Sequence, residues 1–524
     1  MATEPVVKEH RSKFNVFIIL LATLGSISYG YSSCIIATTL GQPSFITYMK
    51  LDLYSNAVQL IGAINGLYQA GGLLGTLYVG LTGDRLGRRW AIFSASAITV
   101  VGGALQTGSV HVGMFMAARF ITGLGIGALV TLIPLWQSEV APPRTRGFLV
   151  GLHGVFILVG YSSASWVGVG FYFVNAEGSQ FRPPLALQIL PPLLLACAIL
   201  YMPESPRWLM ERDRGEECLA ILRKIHADAS DPHGEFAQRE YNQIRQQITY
   251  EKALPTSWGS ILEIPSYRKR LFVGFGCMFF AQCTGTQVIN NYGPLLYKNL
   301  GFSTANALII QAGWITWGII GNFINAVLLD RVGRKWLMST VSSKILMARG
   351  DTDMTGGMVG CAVSLLLEII MLALYQDTGD RAGNSAAVFF LFLHIGFYAS
   401  SLDASTYVYA SEIWPTHLRA RGCAISVSGL FVSSLILLCA ASDAFAAIGW
   451  RYYLVFLSMT VIGAVFFALV FPETRHKPLE EIAAAFGDEV VDYSLEASTD
   501  KDAELSEGIH PVPVRGYKAE IIKV

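Results

Sequence analysis

The sequence predicts an all-α integral-membrane fold, with twelve transmembrane helices in two pseudo-symmetric six-helix bundles. Three observations carry this expectation. Of 524 residues, 52% are hydrophobic and only 15% are charged. A soluble domain has roughly 25% charged residues, so this chain is too poor in charge to cover a water-facing surface. Apolar runs of about 20 residues, each long enough to cross a bilayer as a helix, recur in two sets of six. The same charged phrases also return in each half. Gly83-Asp84-Arg85-Leu86-Gly87-Arg88-Arg89-Trp90 reappears as Leu329-Asp330-Arg331-Val332-Gly333-Arg334-Lys335-Trp336. Ser138-Glu139-Val140 followed by Arg146-Gly147 reappears as Ser411-Glu412-Ile413 followed by Arg421-Gly422, and Pro203-Glu204-Ser205 as Pro472-Glu473-Thr474. An internal repeat of this kind is the mark of a two-halved membrane protein.

Taken in order, residues 1–13 form a short polar N-terminal tail. The run that follows is long enough to span and has no small-residue cleavage site, so it reads as the first membrane helix and not as a signal peptide. Spans are expected near 14–38, 57–80, 90–108, 113–137, 148–172 and 183–202, making an N-terminal bundle over 14–203. A charged, partly helical linker covers 204–269. The second set is expected near 270–291, 304–329, 357–376, 386–411, 422–441 and 450–471, a C-terminal bundle over 270–471, followed by a polar tail over 472–524. The two halves differ in one place: 55 positions separate Asp84 from Glu139, but 82 separate Asp330 from Glu412. The excess holds a charged stretch, 341–356, read as an insertion at the start of the ninth helix, where charge is costly in lipid.

Basic residues cluster in alternate short loops: Arg85, Arg88, Arg89, Arg144 and Arg146 in one half, Arg331, Arg334, Lys335, Arg419 and Arg421 in the other. The basic side stays cytoplasmic, so both termini and the linker are expected inside, in a multi-pass protein of the plasma membrane. A formal net charge of zero argues against a nucleic-acid partner. The eight cysteines are scattered, without metal or redox spacing. No nucleophile–base or metal constellation is visible, so neither an enzyme nor a cofactor is expected.

These motifs, in this order, resemble the sugar porter family of the major facilitator superfamily. The match covers roughly residues 14–485 and rests on Asp-Arg-x-Gly-Arg-Arg/Lys after helices 2 and 8, Arg119-Phe-Ile-Thr-Gly-Leu-Gly-Ile-Gly127, Pro-Glu-Ser-Pro-Arg207-Trp208-Leu209 and Pro-Glu-Thr-Arg475. The resemblance implies a carrier that moves a sugar or another polyhydroxylated small solute across the bilayer by alternating access, as a proton symporter or a facilitator. Two alternatives stay open: the same fold carrying a quinate-like cyclic acid or secondary metabolite, and a transporter-like nutrient sensor. The short C-terminal tail weighs against the sensor.

It also implies roles for particular residues. Asp84, Arg85, Arg88, Glu139, Arg146, Glu204, Asp330, Arg331, Arg334, Glu412, Arg421 and Glu473 would form a cytoplasmic gate, with arginines pairing to glutamates. Topology signalling accounts for part of these charges. Ala281-Gln282-Cys283-Thr284-Gly285-Thr286-Gln287 resembles the family's Gln-Gln-x-x-Gly-x-Asn sugar-binding stretch. On one continuous helix, Gln282, Gln287 and Asn291 could share a face and offer the paired donors and acceptors that hydroxyls need. Tyr292, Asn322, Tyr407 and His153 complete the expected binding set. Where proton-driven members carry an Asp in helix 1, this chain has Ser32-Ser33 after Gly30-Tyr31. Arg119 in helix 4 then needs a partner, and Asp403 is a candidate counter-charge from the other half. The pair Arg119 and Asp403 is the candidate coupling machinery, with a hydrated or substrate-facing role for Asp403 as the alternative.

Overall fold

In a computed structural model, the described residues are 12–142, 145–174, 180–227, 234–252, 254–332, 338, 357–376, 378, 380–472 and 486–487. Six helices make the first bundle: α1 (Lys13–Gly41), α2 (Ala57–Leu86), α3 (Arg88–Thr107), α4 (Val112–Val140), α5 (Arg146–Tyr172), and α6, split into Arg182–Leu187 and Leu190–Ile199. The second bundle has α7a (Pro265–Gln282), α7b (Thr286–Asn299), α8 (Thr304–Val332), α9 (Gly357–Tyr375), α10a (Arg381–Tyr398), α10b (Ala404–Glu412), α11 (Arg419–Ile448) and α12 (Tyr453–Val470). Ten helical stretches are long and apolar enough to cross a membrane, and the last of these, Thr416–Val470, contains both α11 and α12. The twelfth crossing is α2, 30 residues long but more polar. Its polarity has a reason: Asn65, Gln69 and Thr76 are buried inside the protein and do not face lipid.

Helices in lipid gain little from hydrophobic exclusion and associate by close packing of small residues. The α2–α4 contact shows this. A Cβ on Gly71 or Gly75 would lie 2.2 or 2.1 Å from the carbonyls of Phe120 and Leu124, and one on Gly123 or Gly127 would lie 2.1 or 2.0 Å from those of Tyr68 and Gly72. The glycines of the Gly123–Gly127 stretch are therefore backbone-packing positions. The halves meet along α2 with α11 and α5 with α8. In the second of these seams Thr316 accepts from Trp166 Nε1 at 3.0 Å and shares a 2.9 Å hydrogen bond with Ser162.

Two irregularities set the site. Helix 7 is broken: Gly285 has φ +83°, and a Cβ there would stand 2.5 Å from the Phe456 ring. Only glycine takes that conformation without strain. Helix 10 carries a π-helical turn at Ala399–Asp403 between its two α segments. Such bulges open the regular ladder and re-aim side chains.

Between the bundles, the linker folds into helices Pro206–Glu211, Gly215–Ile225, Glu235–Glu251 and Trp258–Glu263. The first three share a small core of Leu209, Met210, Cys218, Leu222, Ala237, Ile244 and Ile248.

Candidate functional site

The broken α7 and the π turn of helix 10 face one another across a cavity between the halves. It is lined by Tyr161 of α5, Gln287 and Asn290 of α7b, Trp314 of α8, Tyr398 at the end of α10a, and Asp403 and Tyr407, among others. Contacts cross between the halves at both ends of the bundles. At the end away from the linker Lys298 Nζ donates to the Gly41 carbonyl at 3.3 Å, joining α7b to α1. At the other end the linker reaches the C-terminal half: Arg207 donates to Thr416 Oγ1 at 3.3 Å, and Glu251 accepts from the His417 backbone N–H at 2.9 Å. The linker also holds the N-terminal half, through Trp208 Nε1 and Arg212 donating to the Asp84 carbonyl at 2.9 and 2.8 Å.

The cavity wall is a net of amides and phenols around one carboxylate. Gln287 donates to the hydroxyls of Tyr161 at 3.0 Å and Tyr29 at 3.4 Å, so a helix 7 amide is tied to α1 and α5 across the two halves. Gln282 donates to Tyr398 at 3.1 Å. Asn322 donates to Asp403 Oδ2 at 2.6 Å, a short charge-assisted contact. Several polar atoms of this net are buried without a partner: Oε1 of Gln282 and of Gln287, Nδ2 of Asn290, Oδ1 of Asn322 and Nε2 of His153. Unpaired buried donors and acceptors cost about 1–3 kcal/mol each. A ligand rich in hydroxyls could satisfy the two that belong to cavity-lining residues, Gln287 Oε1 and Asn290 Nδ2, since each hydroxyl both donates and accepts.

The expected binding residues divide. Gln287 and Tyr407 line the cavity, and Gln282 and Asn322 reach it through Tyr398 and Asp403. His153 lies behind Tyr407, ring to ring at 4.8 Å, with Nδ1 held by Ser26 at 2.8 Å. Asn291 corrects the expectation: it donates to the Gln287 carbonyl at 2.8 Å, and Asn290 stands in the wall instead. The break at Gly285 separates Gln282, on α7a, from Gln287, on α7b; within α7b it is Asn290, one turn after Gln287, that joins it in the wall. Tyr292 donates to the Leu438 carbonyl at 3.2 Å and packs on Phe445, which places it against α11. The sequence reading missed Tyr29, Tyr161, Asn290, Trp314 and Tyr398.

Arg119 and Asp403 do not meet. The Arg119 guanidinium donates to the Ser32 carbonyl at 2.9 Å and sits over the Tyr68 ring at 4.1 Å, wholly within the N-terminal bundle. A carbonyl and an aromatic face take the place of the expected carboxylate. Asp403 lies in the cavity wall, on Asn322.

At the helix ends nearest the linker, Arg88 makes a fully buried two-pronged pair with Glu139, Nε to Oε2 at 3.0 Å and Nη2 to Oε1 at 2.9 Å, and adds Asp84 at 3.3 Å. This pair joins α3 to α4 inside one half. Glu204 departs from the expectation of an arginine side-chain partner: it accepts from the backbone N–H groups of Arg88, Arg89 and Ser205 at 3.0, 3.2 and 2.9 Å. A carboxylate there compensates the positive end of α3. Burial raises the Glu204 carboxyl above its usual range despite those N–H groups. Burial also pushes nearby Glu211 up to about 8, against the pull of Arg88 and with the push of Asp84 and Glu139. Arg85 is exposed, Arg146 and Glu412 are buried, and Arg421 lies over the Trp258 ring at 5.9 Å. The side chains of Asp330 and Arg331, and all of Arg334, Glu473 and residues 341–356, lie outside the described residues. No group of metal-binding side chains occurs among the described residues.

A family model described as "Sugar (and other) transporter" matches residues 18–486. The MFS-type transporter criB of Aspergillus cristatus is 31% identical over 471 residues, 90% of this chain and 92% of the relative. The arabinose-proton symporter of Bacillus subtilis is 29% identical over 506 residues, 91% and 96%. The quinate permease of Neurospora africana is 27% identical over 479 residues, 89% and 87%. Among solved structures, the proton:xylose symporter XylE of E. coli, bound to 6-bromo-6-deoxy-D-glucose, superposes with a TM-score of 0.77 at 23% identity, covering 91% of this chain and 100% of the other. That likeness shows the major facilitator fold.

Proposed function

The chain belongs to the sugar (and other) transporter family, a multi-pass membrane carrier and not an enzyme, and on that premise we propose that it moves a neutral, polyhydroxylated ring, a sugar or polyol, through the cavity between its halves. The net of Gln287, Tyr29, Tyr161 and Asn290 with its unpaired amide atoms supports this reading most directly. Hydroxyls of a ring would pair with those amide atoms, and Trp314 and Tyr407 offer flat apolar faces for its C–H side.

Asp403 bears on the choice among the solutes that relatives carry. The residues lining the cavity include this one carboxylate and no lysine or arginine. A carboxylate-bearing ring of the quinate type would face like charge there, unless Asp403 holds a proton. A neutral sugar or polyol faces no such penalty. We read Asp403 as the group that binds the coupled proton, and Arg119 as a structural charge of the N-terminal bundle. The linker contacts to Thr416 and His417 would close the inner mouth in one state and part in the other, while the Arg88–Glu139 pair, internal to the N-terminal half, would hold α3 and α4 together as that half moves. The bundles extend over 14–203 and 270–471, with 341–356 as an insertion. The basic loops support cytoplasmic termini and residence in the plasma membrane.

Uptake of labelled pentoses, hexoses, polyols and quinate, in cells stripped of their own carriers, tests the reading. Gln287→Ala should raise KM or abolish uptake of the preferred neutral solute while surface protein is kept. A carrier that takes up only quinate, or neutral-solute uptake indifferent to Gln287→Ala and Asn290→Ala, would overturn it.

A further inference from the structure

Asn290 stands in the wall of the cavity between the halves, and its carboxamide is held from behind in one orientation. Gln311 of α8 is fully buried and reaches across to α7b. Its Nε2 donates to the Asn290 backbone carbonyl at 3.0 Å and to the Asn290 Oδ1 at 3.5 Å. A backbone carbonyl can only accept, so this contact turns the NH2 group of Gln311, and not its oxygen, toward Asn290. That group has two hydrogens, one for each oxygen of the same residue. The Asn290 side chain is thereby set with its oxygen toward α8. The Cys34 thiol of α1 adds a weaker donor to the same Oδ1 at 3.5 Å. Both side-chain contacts of Asn290 fall on its oxygen, and its Nδ2 is buried without a partner. In a residue of the cavity wall, an amide whose oxygen is taken by the protein has its N–H groups left for a solute.

Gln311 is not itself among the residues lining the cavity. It comes this close to α7b because residue 293 is glycine: a Cβ there would overlap Gln311 Oε1. That Oε1 has no hydrogen-bond partner, so the amide's one task is to hold Asn290. A buried glutamine bonded to a neighbouring membrane helix often serves only as packing glue. Here the group it holds belongs to the cavity wall, and the hold leaves that group's donor open. Gln311 and Asn290 also lie in the same half, so their clamp can persist while the halves move, whereas the contact from Cys34 comes from the other half.

We propose that Gln311 is a positioning residue that fixes Asn290 as a hydrogen-bond donor in the transport cavity, so that the solute must offer an acceptor there. The proposal rests on the reading of this cavity as the site of a neutral, polyhydroxylated solute, and it adds a rule of selectivity. At the ring position that meets Asn290, a hydroxyl or a fluorine is accepted and a bare C–H is rejected. Without Gln311 the Asn290 amide can turn over and offer its oxygen. A hydroxyl, which both donates and accepts, then still binds, but fluorine, which cannot donate, does not.

The test measures uptake by the full chain, in cells stripped of their own carriers. The probes are the preferred neutral solute and analogues in which each hydroxyl in turn is replaced by fluorine or by hydrogen. In the wild type one ring position should keep KM within about threefold on fluorination and lose about tenfold or more on deoxygenation. Gln311→Met, close in shape and without a donor, should leave the KM of the parent solute within about threefold and raise that of the fluoro analogue about tenfold or more. A merely structural role would raise both alike. Asn290→Asp, whose carboxylate only accepts, should bring the same switch with Gln311 in place, and decides the matter should Gln311→Met not reach the surface. An equal change for parent and fluoro analogue in these variants, or a wild type in which no position keeps fluorine while rejecting hydrogen, overturns the proposal and leaves the neutral-solute reading standing. A chain that carries no neutral polyhydroxylated solute overturns both.

Discussion

Asp403→Asn isolates proton coupling from solute binding. Asp403 accepts a hydrogen bond from Asn322 at 2.6 Å, and it is buried at 6% exposure. Asparagine has nearly the same shape and keeps an oxygen for Asn322, so the structural change is the exchange of a charged hydrogen bond, worth about 1.5–3 kcal/mol, for a neutral one of about 0.5–1.5 kcal/mol. Against that loss stands the removal of a buried charge that no cation neutralises, so folding stability should change by less than about 1 kcal/mol. The functional change is large by comparison. One pH unit across the membrane is worth about 1.4 kcal/mol per proton, enough to sustain roughly tenfold accumulation of solute with one-to-one coupling. Proteoliposomes holding the wild type, given a one-unit gradient acid outside, should therefore accumulate solute up to about tenfold. Asp403→Asn should equilibrate to onefold and keep counterflow exchange, because its amide mimics the protonated acid. Asp403→Ala should also lose affinity, since it strands the Asn322 amide. Wild-type uptake that ignores both the gradient and a protonophore refutes the coupling role and leaves a facilitator; uphill accumulation that survives in Asp403→Asn moves the proton elsewhere.

Three further outcomes follow from the geometry. Glu139→Gln leaves the Arg88 guanidinium, fully buried, with Asp84 at 3.3 Å as its remaining carboxylate, and should cost about 3–5 kcal/mol in a thermal-unfolding assay, whereas Glu139→Gln with Arg88→Gln should cost less than the single change. Glu211 titrates near 8 when folded and near the ordinary carboxylate value when unfolded, so it favours the folded state at low pH and loses that contribution as pH rises through about 8. Glu211→Gln should then raise the unfolding temperature at pH 8.5 by more than at pH 5, and an equal change at both values would refute the buried-carboxyl account. Gly285→Ala forces a Cβ at φ +83° into the Phe456 ring and should lower stability by about 2–5 kcal/mol, combining roughly 1–2 for the left-handed backbone with 1–3 for overpacking, and depress uptake, since α7b carries Gln287; unaltered unfolding and kinetics would show that the break is not rigid.

Hydropathy made the existence and order of the helices legible because each is decided by a sum over about 20 positions, which no single side chain can overturn; their ends were less so, and α2, α7b and α11 run past the expected bounds. The Arg88–Glu139 pair was legible for a different reason: the repeat sets both charges at the same ends of neighbouring helices, where an ionised group has few alternatives. The site was less legible because it depends on two local departures from regularity. Read as one helix, 270–291 offers Gln282, Gln287 and Asn291 to a single face; in the structure the turn at Gly285 puts Gln282 on a separate segment, and Asn290 lines the cavity with Gln287 while Asn291 spends its donor on its own backbone. A glycine within an apolar run does not announce a break, since most glycines here, like Gly71 and Gly75, serve helix contact. Nor does a tyrosine in an apolar helix announce a ligand: Tyr29, Tyr161 and Tyr398 look like core until the fold brings their hydroxyls to the amides of helix 7.

Of the two roles open to Asp403, counter-charge to Arg119 or cavity-facing carboxylate, the geometry matches the second. A buried guanidinium does not require a carboxylate. Arg119 instead spends a donor on the Ser32 carbonyl and lays its face on Tyr68, within the half that carries it. That separation has a mechanistic consequence. A carrier whose arginine and acid lay in opposite halves and paired across the cavity would tie proton release to the parting of the halves. Here Asp403 is held by Asn322 of its own half and faces the cavity directly. On the proposed coupling role, its protonation would respond to what occupies the cavity, a solute hydroxyl or water, and the coupling would run through the solute's contacts with Asp403. Solutes that lack a hydroxyl at the position meeting this carboxylate should then be carried without protons, while their fully hydroxylated counterparts are carried with them. Measuring proton flux per solute across a deoxy series would expose that difference, and a constant ratio across the series would return the coupling to a contact between the halves.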